Sequence, residues 1–497
     1  MIERGQRLSR SVIWKLQRRY FERAGIAAWG SNTVPHYITN TPLLADRYVR
    51  VAVAFVRDLG IDPAHPIDVV ELGAGTGRLA YHFVGAWHRA VGTDGPKVRY
   101  VLTDFHAERL AEWRRHPSLR HLIDEGQIEL ARFDIECDRE LDRLGPNPTI
   151  VVANYAFDSV PQDCFYVEDG VLREALVTTT IPSMQLDDPA LLEHVTLAYE
   201  RGPECQAPYG EPFLDGVLES YRRTLASGVV TMPSAALRCV HRLAELTSGR
   251  MLMLVADNGP TTLDSIADRG EPSMTLHGSF SMPVNLHAIG EGVRALGGEM
   301  LAAPGESIQI CAYVLPGTEI AATRAAFKAA IDLTGPDRFY AWKSAFAEEH
   351  YTWQIGELVA FIRASEWDPK VLATCLPRLT ELATTARDAD RDVLCDALAR
   401  VWDAYLPIGE GGDLAFGIGV LLARMRCWQD AERYFQRSLA HHGADISTVI
   451  NLAFCEHRLG RSAKARERAQ QVLAVDPAHP SARALLTEIG PLESADL

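Results

Sequence analysis

Short apolar runs alternate with amphipathic segments through the first part of the chain. Between the runs, apolar positions fall three or four residues apart and predict helices, two of which cover residues 43–59 and 78–90. Strands that alternate with helices favour a parallel sheet, so we expect an α/β fold whose strand ends share one edge. The apolar runs that predict strands cover residues 67–72, 98–103, 127–133, 149–153, 250–256 and 307–315.

Two segments depart from this alternation. Residues 1–30 place apolar side chains at helical spacing with arginines between them, which predicts an amphipathic helix that either packs on the domain or acts as a lid. Residues 182–248 lie between strands with a mostly helical pattern, which predicts an insertion suited to cover a site. We therefore expect an N-terminal helical segment over residues 1–60 and the main α/β domain over residues 61–330.

Helical periodicity replaces the alternation over residues 335–490. Within this region Ala431 and Phe435 correspond to Ala465 and Ala469, an offset of 34 residues in both cases. Small and aromatic residues at this spacing are typical of tetratricopeptide repeats, in which stacked helix hairpins bury a shared face. Two recognisable repeats are fewer than a free-standing array needs, so we expect the helices at 338–406 to supply degenerate repeats or a cap. An ordinary helical bundle is the alternative.

Composition and charge narrow the classes of function. The 497 residues are 47% hydrophobic and 23% charged, as is typical of a globular protein, and the net charge of -15 argues against a nucleic-acid binder. The nine cysteines are scattered and never form a Cys-x-x-Cys pair, which argues against a disulfide framework and a cysteine zinc site. No apolar run approaches the ~18 residues of a membrane span. We expect a cytoplasmic protein without a metal site.

The segment with the clearest chemistry is a glycine-rich turn between a predicted strand and a predicted helix. Gly73, Gly75 and Gly77 follow the strand directly, where a turn without side chains lets a ligand approach the backbone. Glu71 stands two residues before the first glycine. A pyrophosphate prefers an uncrowded positive helix end, so a carboxylate at this place favours a cationic ligand.

Two further acidic residues end the neighbouring predicted strands. Asp104 ends the second strand, where its carboxylate can accept hydrogen bonds from both hydroxyls of a ribose. Asp134 follows the third strand, within reach of an adenine amino group. With Glu71, these carboxylates point to S-adenosylmethionine, whose sulfonium and amino groups are positive. A nicotinamide cofactor and a purely structural glycine turn are the alternatives.

Four segments carry a resemblance to a known family. Glu-Leu-Gly-Ala-Gly-Thr-Gly-Arg-Leu at 71–79 resembles motif I of class I methyltransferases. Tyr-Ile-Thr-Asn-Thr-Pro at 37–42 resembles the Phe-Ile-Thr-x-Pro-Glu segment over the cofactor in the MidA-like branch, which includes the mitochondrial complex I assembly methyltransferase. Asn-Tyr-Ala-Phe-Asp-Ser-Val-Pro at 154–161 resembles that branch's Asn-Glu-x-x-Asp-Ala-Leu-Pro motif, and Asp-Asn-Gly at 257–259 resembles its Asp-Tyr-Gly. The resemblance covers about residues 30–315.

The resemblance implies a Rossmann-like, seven-stranded class I methyltransferase sheet with a helical insertion. It also implies methyl transfer from S-adenosylmethionine, with S-adenosylhomocysteine as product. In the assembly factor the acceptor is an arginine of a partner protein. The cofactor-binding residues that it implies are Thr39, Glu71, Gly73, Ala74, Gly75, Gly77, Asp104, Phe105, Asp134, Ile135 and Asn154.

Four residues are candidates for the acceptor end of the site. Asn154, at the end of the fourth strand, would hold an acceptor nitrogen or oxygen. The family's glutamate beside it is Tyr155 here, which removes the carboxylate that would align an arginine, whose guanidinium stays protonated. Tyr155 is expected to line the pocket or contact a planar acceptor, and Asp158 to replace the carboxylate or to cap the following turn. His36 is expected to act as a base or to be structural.

Three functions remain open on the sequence. The first is a methyltransferase for a peptide or protein, because tetratricopeptide repeats bind extended peptides and tethering raises the effective concentration of the acceptor. The second is a catalytically silent fold that senses the cofactor or supports assembly, which the departure at Tyr155 favours. The third is a small-molecule methyltransferase, as in natural-product biosynthesis, whose repeats serve to form a homodimer.

Overall fold

The protein forms two compact units. One comprises Met1–Tyr340 with Leu406–Glu410, and the other comprises Ala341–Tyr405 with Gly411–Leu497; we call them the α/β unit and the helical unit. The structure is a computed structural model, and it describes residues 2–25, 37–141, 144–181, 191–267, 269–303, 308–333, 335–409 and 411–490.

The described residues contain strands and helices in the following order. The strands are β1 (Glu3–Arg7), β2 (Ile67–Glu71), β3 (Val98–Asp104), β4 (Ile128–Arg132), β5 (Thr149–Asn154), β6 (Asp163–Glu168), β7 (Val171–Thr180), β8 (Thr196–Glu204), β9 (Ser227–Met232), β10 (Met251–Asp257), β11 (Thr275–His277), β12 (Ser279–Ser281), β13 (Glu299–Ala303) and β14 (Gln309–Leu315). The helices that begin in the α/β unit are α1 (Val12–Ala24), α2 (Pro42–Leu59), α3 (Arg78–Val91), α4 (Ala107–Arg115), α5 (Pro117–Asp124), α6 (Pro212–Thr224), α7 (Ser234–Leu246), α8 (Asp264–Ala267), α9 (Leu286–Ala295), α10 (Ala321–Phe327) and α11 (Pro336–Glu349). Those of the helical unit are α12 (Ile355–Ala364), α13 (Pro369–Leu382), α14 (Asp388–Asp403), α15 (Leu414–Arg424), α16 (Trp428–His442), α17 (Ile446–Arg458), α18 (Ser462–Val475) and α19 (Pro480–Ile489). Shorter helical turns cover Leu8–Arg10, Tyr37–Thr39, Leu191–His194, Lys328–Asp332, His350–Thr352 and Ala383–Thr385.

A seven-stranded sheet forms the centre of the α/β unit, with the order β13-β14-β10-β5-β2-β3-β4. Strands β10, β5, β2, β3 and β4 pair in parallel, whereas β14 runs antiparallel to both of its neighbours. Glu71 is in register with Val152 and Leu102, so the ends of β2, β3 and β5 meet at one edge. The predicted α/β sheet of class I methyltransferase type is confirmed.

Both faces of this sheet are buried, as is typical of parallel strands. Val69 and Ile150 pack on one face against α2 and α3, while their neighbours Val70 and Val151 pack on the other against α7 and α9. Because successive side chains of a strand point to opposite faces, the unbroken apolar runs fill both cores. This packing fixes the strand ends that border the site.

A second sheet is antiparallel and takes two strands from the insertion at residues 182–248, for which the sequence predicts a mostly helical structure. It has the order β1-β7-β6-β9, with β8 paired to β7, so β8 and β9 of the insertion are strands, whereas α6 and α7 are helices. The hydrogen-bonding partners of β8 and β9 lie in β7 and β6, outside the insertion. Pairing with distant strands therefore outweighs the local helical pattern.

The N-terminal segment also differs from the helix expected over residues 1–30. Glu3–Arg7 form β1, which pairs with β7, and the helix begins only at Val12. The Glu3 carboxylate accepts hydrogen bonds from the Val12 amide at 3.0 Å and from the Thr179 hydroxyl at 2.6 Å. These bonds join the strand to the start of the helix.

The division between the units differs from the expected helical domain over residues 335–490. The units divide inside α11, and Leu406–Glu410 return to the α/β unit. There Leu406 and Ile408 are buried in the core, and the Leu406 carbonyl accepts a 2.8 Å hydrogen bond from Arg78. A short return of this kind leaves no trace in helical periodicity.

The helical unit contains two similar hairpins, α15 with α16 and α17 with α18. A Cβ at Gly419 would lie 2.8 Å from Phe435 Cε1, which explains the glycine in the first hairpin. Phe435, Ala453 and Ala469 are fully buried. The small residues therefore allow close helix contact, as the repeat pattern predicts. In the described ranges, none of the helices combines the length and apolar character needed to cross a membrane.

Candidate active site

Three glycines in left-handed conformations build the turn between β2 and α3. Gly73, Gly75 and Gly77 have φ angles of 61°, 53° and 73°, which residues with a Cβ rarely adopt. The Ala74 amide donates to the Thr103 carbonyl at 2.9 Å, which ties the turn to β3. The turn is therefore fixed at the edge where β2 and β3 end.

The glycines have different surroundings. A Cβ at Gly77 would lie 3.0 Å from Leu119 Cδ1, and the Gly75 carbonyl accepts a 3.0 Å hydrogen bond from Trp113, so this side of the turn packs on α4 and α5. Gly73 is exposed, and among the described residues a Cβ there would meet no atom within 4 Å. The backbone at Gly73 is therefore open to a ligand.

A cavity begins at Gly73 and extends past the ends of β3, β4 and β5. Carboxylates and aromatic rings make up much of its wall. Its lining consists of Trp14, Gln17, Arg18, Phe21, Gly73, Asp104, Phe105, His106, Arg109, Phe133, Asp134, Ile135, Glu136, Tyr155, Ala156, Ser159, Val160 and Pro161.

Asp104 ends β3 on the wall of this cavity. The residue is 7% exposed, its Oδ1 accepts from the His106 amide at 2.9 Å, and its Oδ2 lies 3.9 Å from Arg109 Nε. Burial raises the pKa of Asp104, although the His106 amide and the Arg109 charge act in the opposite direction. A carboxylate has about four acceptor positions, so Asp104 can accept further bonds from ligand hydroxyls.

Asp134 follows β4 and is held by the N-terminal helix. Arg18 Nη2 donates to Asp134 Oδ2 at 2.5 Å, and the Glu136 amide donates to Oδ1 at 3.0 Å. Burial acts to raise the pKa of Asp134, but the hydrogen bonds from Arg18 and the Glu136 amide lower it overall. The Arg18 guanidinium also lies over Phe105, with Cζ 4.2 Å from the ring centre. Asp134 is therefore an ionised, oriented carboxylate.

Asn154 ends β5, but its side chain is used to join elements of the fold. Its Oδ1 accepts from the Tyr48 hydroxyl at 2.9 Å and from the Ala256 amide at 3.1 Å. Its Nδ2 donates to the Thr39 carbonyl at 3.2 Å. The structure thus shows that Asn154 joins elements of the fold, and its contact with an acceptor stays a prediction.

Tyr155 lies on the cavity wall in a strained backbone conformation. Its φ angle is 48°, and its amide donates to the Ala256 carbonyl at 2.9 Å. Burial raises the pKa of Tyr155, and the charges of Asp158 and Asp257 raise it further. Tyr155 is therefore a neutral hydrogen-bonding wall residue, not a base.

Two buried carboxylates lie behind this wall. Asp257 Oδ2 accepts from the amides of Phe157 and Asp158, both at 3.2 Å, and Asp158 Oδ1 accepts from the Ser159 hydroxyl at 2.9 Å. Burial raises the pKa of both carboxyl groups, and the Asp158 charge raises the pKa of Asp257 further. Two neighbouring buried carboxylates share a proton more easily than they carry two charges. Asp158 reaches the cavity only through Ser159.

Glu71 is buried at the end of β2, 4% exposed. Its Oε2 accepts a 3.0 Å hydrogen bond from the Tyr100 hydroxyl. Burial raises the pKa of Glu71 to about 8, against the lowering effect of Tyr100. The residue does not line the cavity, and its contact with the cofactor stays a prediction; a nearby cation would favour its charged form.

The structure separates the predicted site residues into two layers. Gly73, Asp104, Phe105, Asp134, Ile135 and Tyr155 line the cavity. The lining does not include Thr39, Glu71, Ala74, Gly75, Gly77, Asn154 or Asp158. His36 lies outside the described residues.

Sequence reasoning missed several lining residues. Trp14, Gln17 and Arg18 come from α1, and their role depends on contacts with residues more than 100 positions away. Ser159 stands in the recognised Asn-Tyr-Ala-Phe-Asp-Ser-Val-Pro segment at the position of the family's alanine, a signal that could have marked it. In the part of the chain that the structure describes, no three His, Cys, Asp or Glu side chains form a group that could hold a metal ion.

The residues present fit a nucleoside with a cationic end. Gly73 leaves backbone open at the cavity, Asp104 has acceptor positions for ribose hydroxyls, and Asp134 is ionised beside the aromatic face of Phe105. The lining carries three carboxylates, Asp104, Asp134 and Glu136, beside two guanidinium groups, so it is not the strongly positive site that a pyrophosphate prefers. The fold and the site together define an S-adenosylmethionine-dependent methyltransferase.

Comparison with family models agrees with this class. Residues 49–279 match the family described as "Putative S-adenosyl-L-methionine-dependent methyltransferase", and residues 427–489 match the tetratricopeptide repeat. Residues 49–279 are therefore similar to this methyltransferase family, and the helical unit carries tetratricopeptide repeats. The recognition made on the motifs, the enzyme class and the cofactor are confirmed. Among curated proteins, none matches the chain significantly.

Two solved structures from Burkholderia thailandensis are similar to the chain. One is an uncharacterised superfamily protein with 16% identity and a TM-score of 0.39, covering 61% of this chain and 87% of its own. The other is a candidate methyltransferase of the same superfamily bound to S-adenosylhomocysteine, with 15% identity and a TM-score of 0.41, covering 63% of this chain and 89% of its own.

Proposed function

We propose that this enzyme transfers a methyl group to a peptide or protein and that the repeats recruit that acceptor. The observation that carries the proposal is the presence of tetratricopeptide repeats on the same chain as the methyltransferase site. Such repeats bind extended peptides, and a tethered acceptor reaches the site at a high effective concentration. A small metabolite would gain nothing from this arrangement.

The cofactor would be held along the open turn. Asp104 would bind the ribose hydroxyls, while Asp134, Phe105 and Ile135 would surround the base and Gly73 would let the chain approach. When bound, S-adenosylmethionine supplies a methyl group activated by its sulfonium charge. The protein's task is to orient the acceptor and to take up its proton.

Tyr155 and Ser159 would contact the acceptor. Both line the cavity after β5, and the Ser159 hydroxyl is hydrogen-bonded to the buried Asp158 carboxyl. An acceptor nitrogen or oxygen that donates to Ser159 Oγ could pass its proton by that hydroxyl to Asp158 Oδ1. A side-chain nitrogen, such as that of arginine, is the acceptor that we favour, because its proton would reach the buried Asp158 carboxyl through Ser159.

A catalytically silent scaffold is the second candidate. The glutamate of the related motif is replaced by Tyr155, whose hydroxyl stays protonated and cannot localise charge on a guanidinium. In this case the site would bind the cofactor, and the repeats would carry the function.

Labelled cofactor separates the candidates. The protein is incubated with methyl-labelled S-adenosylmethionine and a cell extract divided into a protein fraction and a small-metabolite fraction. We expect label in the protein fraction and its loss with Ser159→Ala, whereas a variant of the exposed Arg19 serves as control. Label only in small metabolites would reject the peptide acceptor, and cofactor binding without any label would favour the scaffold.

Crosslinking tests the role of the repeats. A labelled acceptor protein, once identified by intact mass, is crosslinked to the full chain and the linked residues are mapped. We expect crosslinks within residues 411–490. Crosslinks confined to the α/β unit would contradict recruitment by the repeats.

A further inference from the structure

The N-terminal helix forms a wall of the cofactor cavity although it precedes the matched methyltransferase segment. That segment begins at residue 49, whereas α1 covers Val12–Ala24. Trp14, Gln17, Arg18 and Phe21 of α1 all line the cavity. The chain therefore builds part of its site from a segment that the family assignment does not include.

Helix α1 is anchored at this place by specific contacts. Gln17 forms two hydrogen bonds to the Phe280 backbone, in which the Phe280 amide donates to Gln17 Oε1 at 3.0 Å and Gln17 Nε2 donates to the Phe280 carbonyl. Trp14 packs against the Phe280 ring at 5.4 Å, and its indole nitrogen donates to the Leu8 carbonyl at 2.8 Å. These bonds fix both the position and the rotation of the helix.

Arg18 is the residue of α1 that reaches the base end of the cavity. Its guanidinium contacts Asp134 at 2.5 Å and Glu136 at 3.3 Å, and it covers the Phe105 ring at 4.2 Å. Asp134 and Phe105 come from the ends of two neighbouring strands, so one side chain joins the two walls. The arrangement combines an ion pair with cation–π stacking.

The contact between Arg18 and Asp134 could be an ordinary surface ion pair, and such pairs contribute little to stability. Here the Asp134 side chain is 8% exposed and the Arg18 side chain 32% exposed. The adjacent Arg19 is exposed and does not line the cavity, which makes it a matched reference. The partial burial and the stacking distinguish Arg18 from a surface charge.

We propose that Arg18 is part of the nucleoside-binding end of the cofactor site, where it holds Asp134 in place and covers Phe105. Its role goes beyond the acceptor proposal and does not depend on which acceptor is used. Arg18 keeps the Asp134 carboxylate oriented for an amino group and shields the base end of the cavity from water. It is a positioning residue for the cofactor.

Isothermal titration with S-adenosylhomocysteine tests this role on the full chain. We expect Arg18→Ala to weaken binding about tenfold, the effect of losing one hydrogen bond to a charged group. Arg18→Lys keeps the charge but loses the planar stacking, so it should recover part of the affinity. Arg19→Ala should bind within about twofold of the parent.

Thermal unfolding without ligand checks that each variant is folded at the temperature of the titration, because the proposal concerns binding. Equal affinities of the Arg18→Ala variant and the parent would overturn the proposal. Tighter binding by Arg18→Ala would also overturn it, because Arg18 would then block the cavity. The acceptor proposal is tested separately, by the location of the methyl label.

Discussion

The Tyr48 hydroxyl in α2 donates a 2.9 Å hydrogen bond to Asn154 Oδ1 at the end of β5. The same amide donates from Nδ2 to the Thr39 carbonyl at 3.2 Å. One side chain therefore joins the Tyr37–Thr39 turn, α2 and β5 at the edge of the sheet where the site lies. Asn154, which the sequence predicts to contact the acceptor, therefore also holds together the elements around the site.

Replacing Asn154 should affect stability before it affects chemistry. Asn154→Ala leaves the buried Tyr48 hydroxyl without its acceptor, so we expect a loss of about 1–3 kcal/mol in the free energy of unfolding. Tyr48→Phe removes only the donor, while Asn154 Oδ1 keeps the Ala256 amide, so it should cost about 1 kcal/mol. Urea unfolding of both variants measures the difference. A smaller loss in Asn154→Ala than in Tyr48→Phe would contradict this role.

Asp104 should dominate cofactor affinity. Asp104→Ala removes the acceptor for the two ribose hydroxyls, for which we expect a loss of about 2–3 kcal/mol in binding free energy, or roughly 30- to 160-fold in Kd. Titration with S-adenosylhomocysteine measures it. Asp124→Ala is the control, because the Asp124 side chain is 67% exposed in α5. Unchanged affinity in Asp104→Ala would mean that the ribose lies elsewhere.

Gly73 and Gly92 separate backbone strain from ligand contact. Both have positive φ angles, 61° and 75°, and among the described residues a Cβ at either would meet no atom within 4 Å. Alanine at each should therefore cost about 1 kcal/mol of stability. Only Gly73 lines the cavity, so only Gly73→Ala should also weaken binding of S-adenosylhomocysteine. Equal affinities of the two variants would contradict the position of the turn in the site.

The ends of the parallel strands could be predicted from the sequence because apolar runs and the glycines between them are local signals. Asp104 and Asp134 could be identified as candidate ligand-binding residues because they stand at those strand ends. The wall formed by α1 could not be predicted in this way, because the bond between Arg18 and Asp134 joins residues 116 positions apart. Likewise, β8 and β9 have their partners in β7 and β6, and local patterns do not identify distant partners.

Glu71 should make stability depend on pH. Burial raises its pKa to about 8 in the folded protein, above the ordinary value of 4.5 expected for the unfolded chain. Between these values the folded state holds a proton that the unfolded state has lost, so the stabilising contribution is complete at low pH and falls as pH rises. The slope for one such group is at most about 1.4 kcal/mol per pH unit.

Glu71→Gln removes this titration. We expect the free energy of unfolding of the parent, relative to Glu71→Gln, to decrease from about pH 5 to about pH 8. Denaturant unfolding across this range measures it. If the free energies of unfolding of the two proteins depend on pH in the same way, burial does not raise the pKa of Glu71.

Gly419 tests the packing of the first repeat hairpin. A Cβ at Gly419 would lie 2.8 Å from Phe435 Cε1, so Gly419→Ala should cost about 1–3 kcal/mol through overpacking. Phe435→Leu in the same chain should recover part of this loss, because the smaller side chain gives room. Thermal unfolding of the single and double variants gives the coupling. Additive effects would mean that the two residues do not contact.

The repeat spacing could be predicted from the sequence because each hairpin has the same packing. Ala465 and Ala469 occupy the positions of Ala431 and Phe435. The hydrogen bonds of Asn154 and Glu71 could not be predicted from the sequence, because the same residue type can bind a ligand in one rotamer and join elements of the fold in another. The replacement of the family's alanine by Ser159 was visible in the sequence. Its bond to Asp158 depends on the fold of the segment after β5.

A crystal structure of the chain grown with S-adenosylhomocysteine tests the central claim most directly. We predict that the product binds beside Gly73, with both ribose hydroxyls hydrogen-bonded to Asp104 and the base between Phe105 and Asp134. Product bound elsewhere, or a crevice at Gly73 filled by the protein's own side chains, would contradict it.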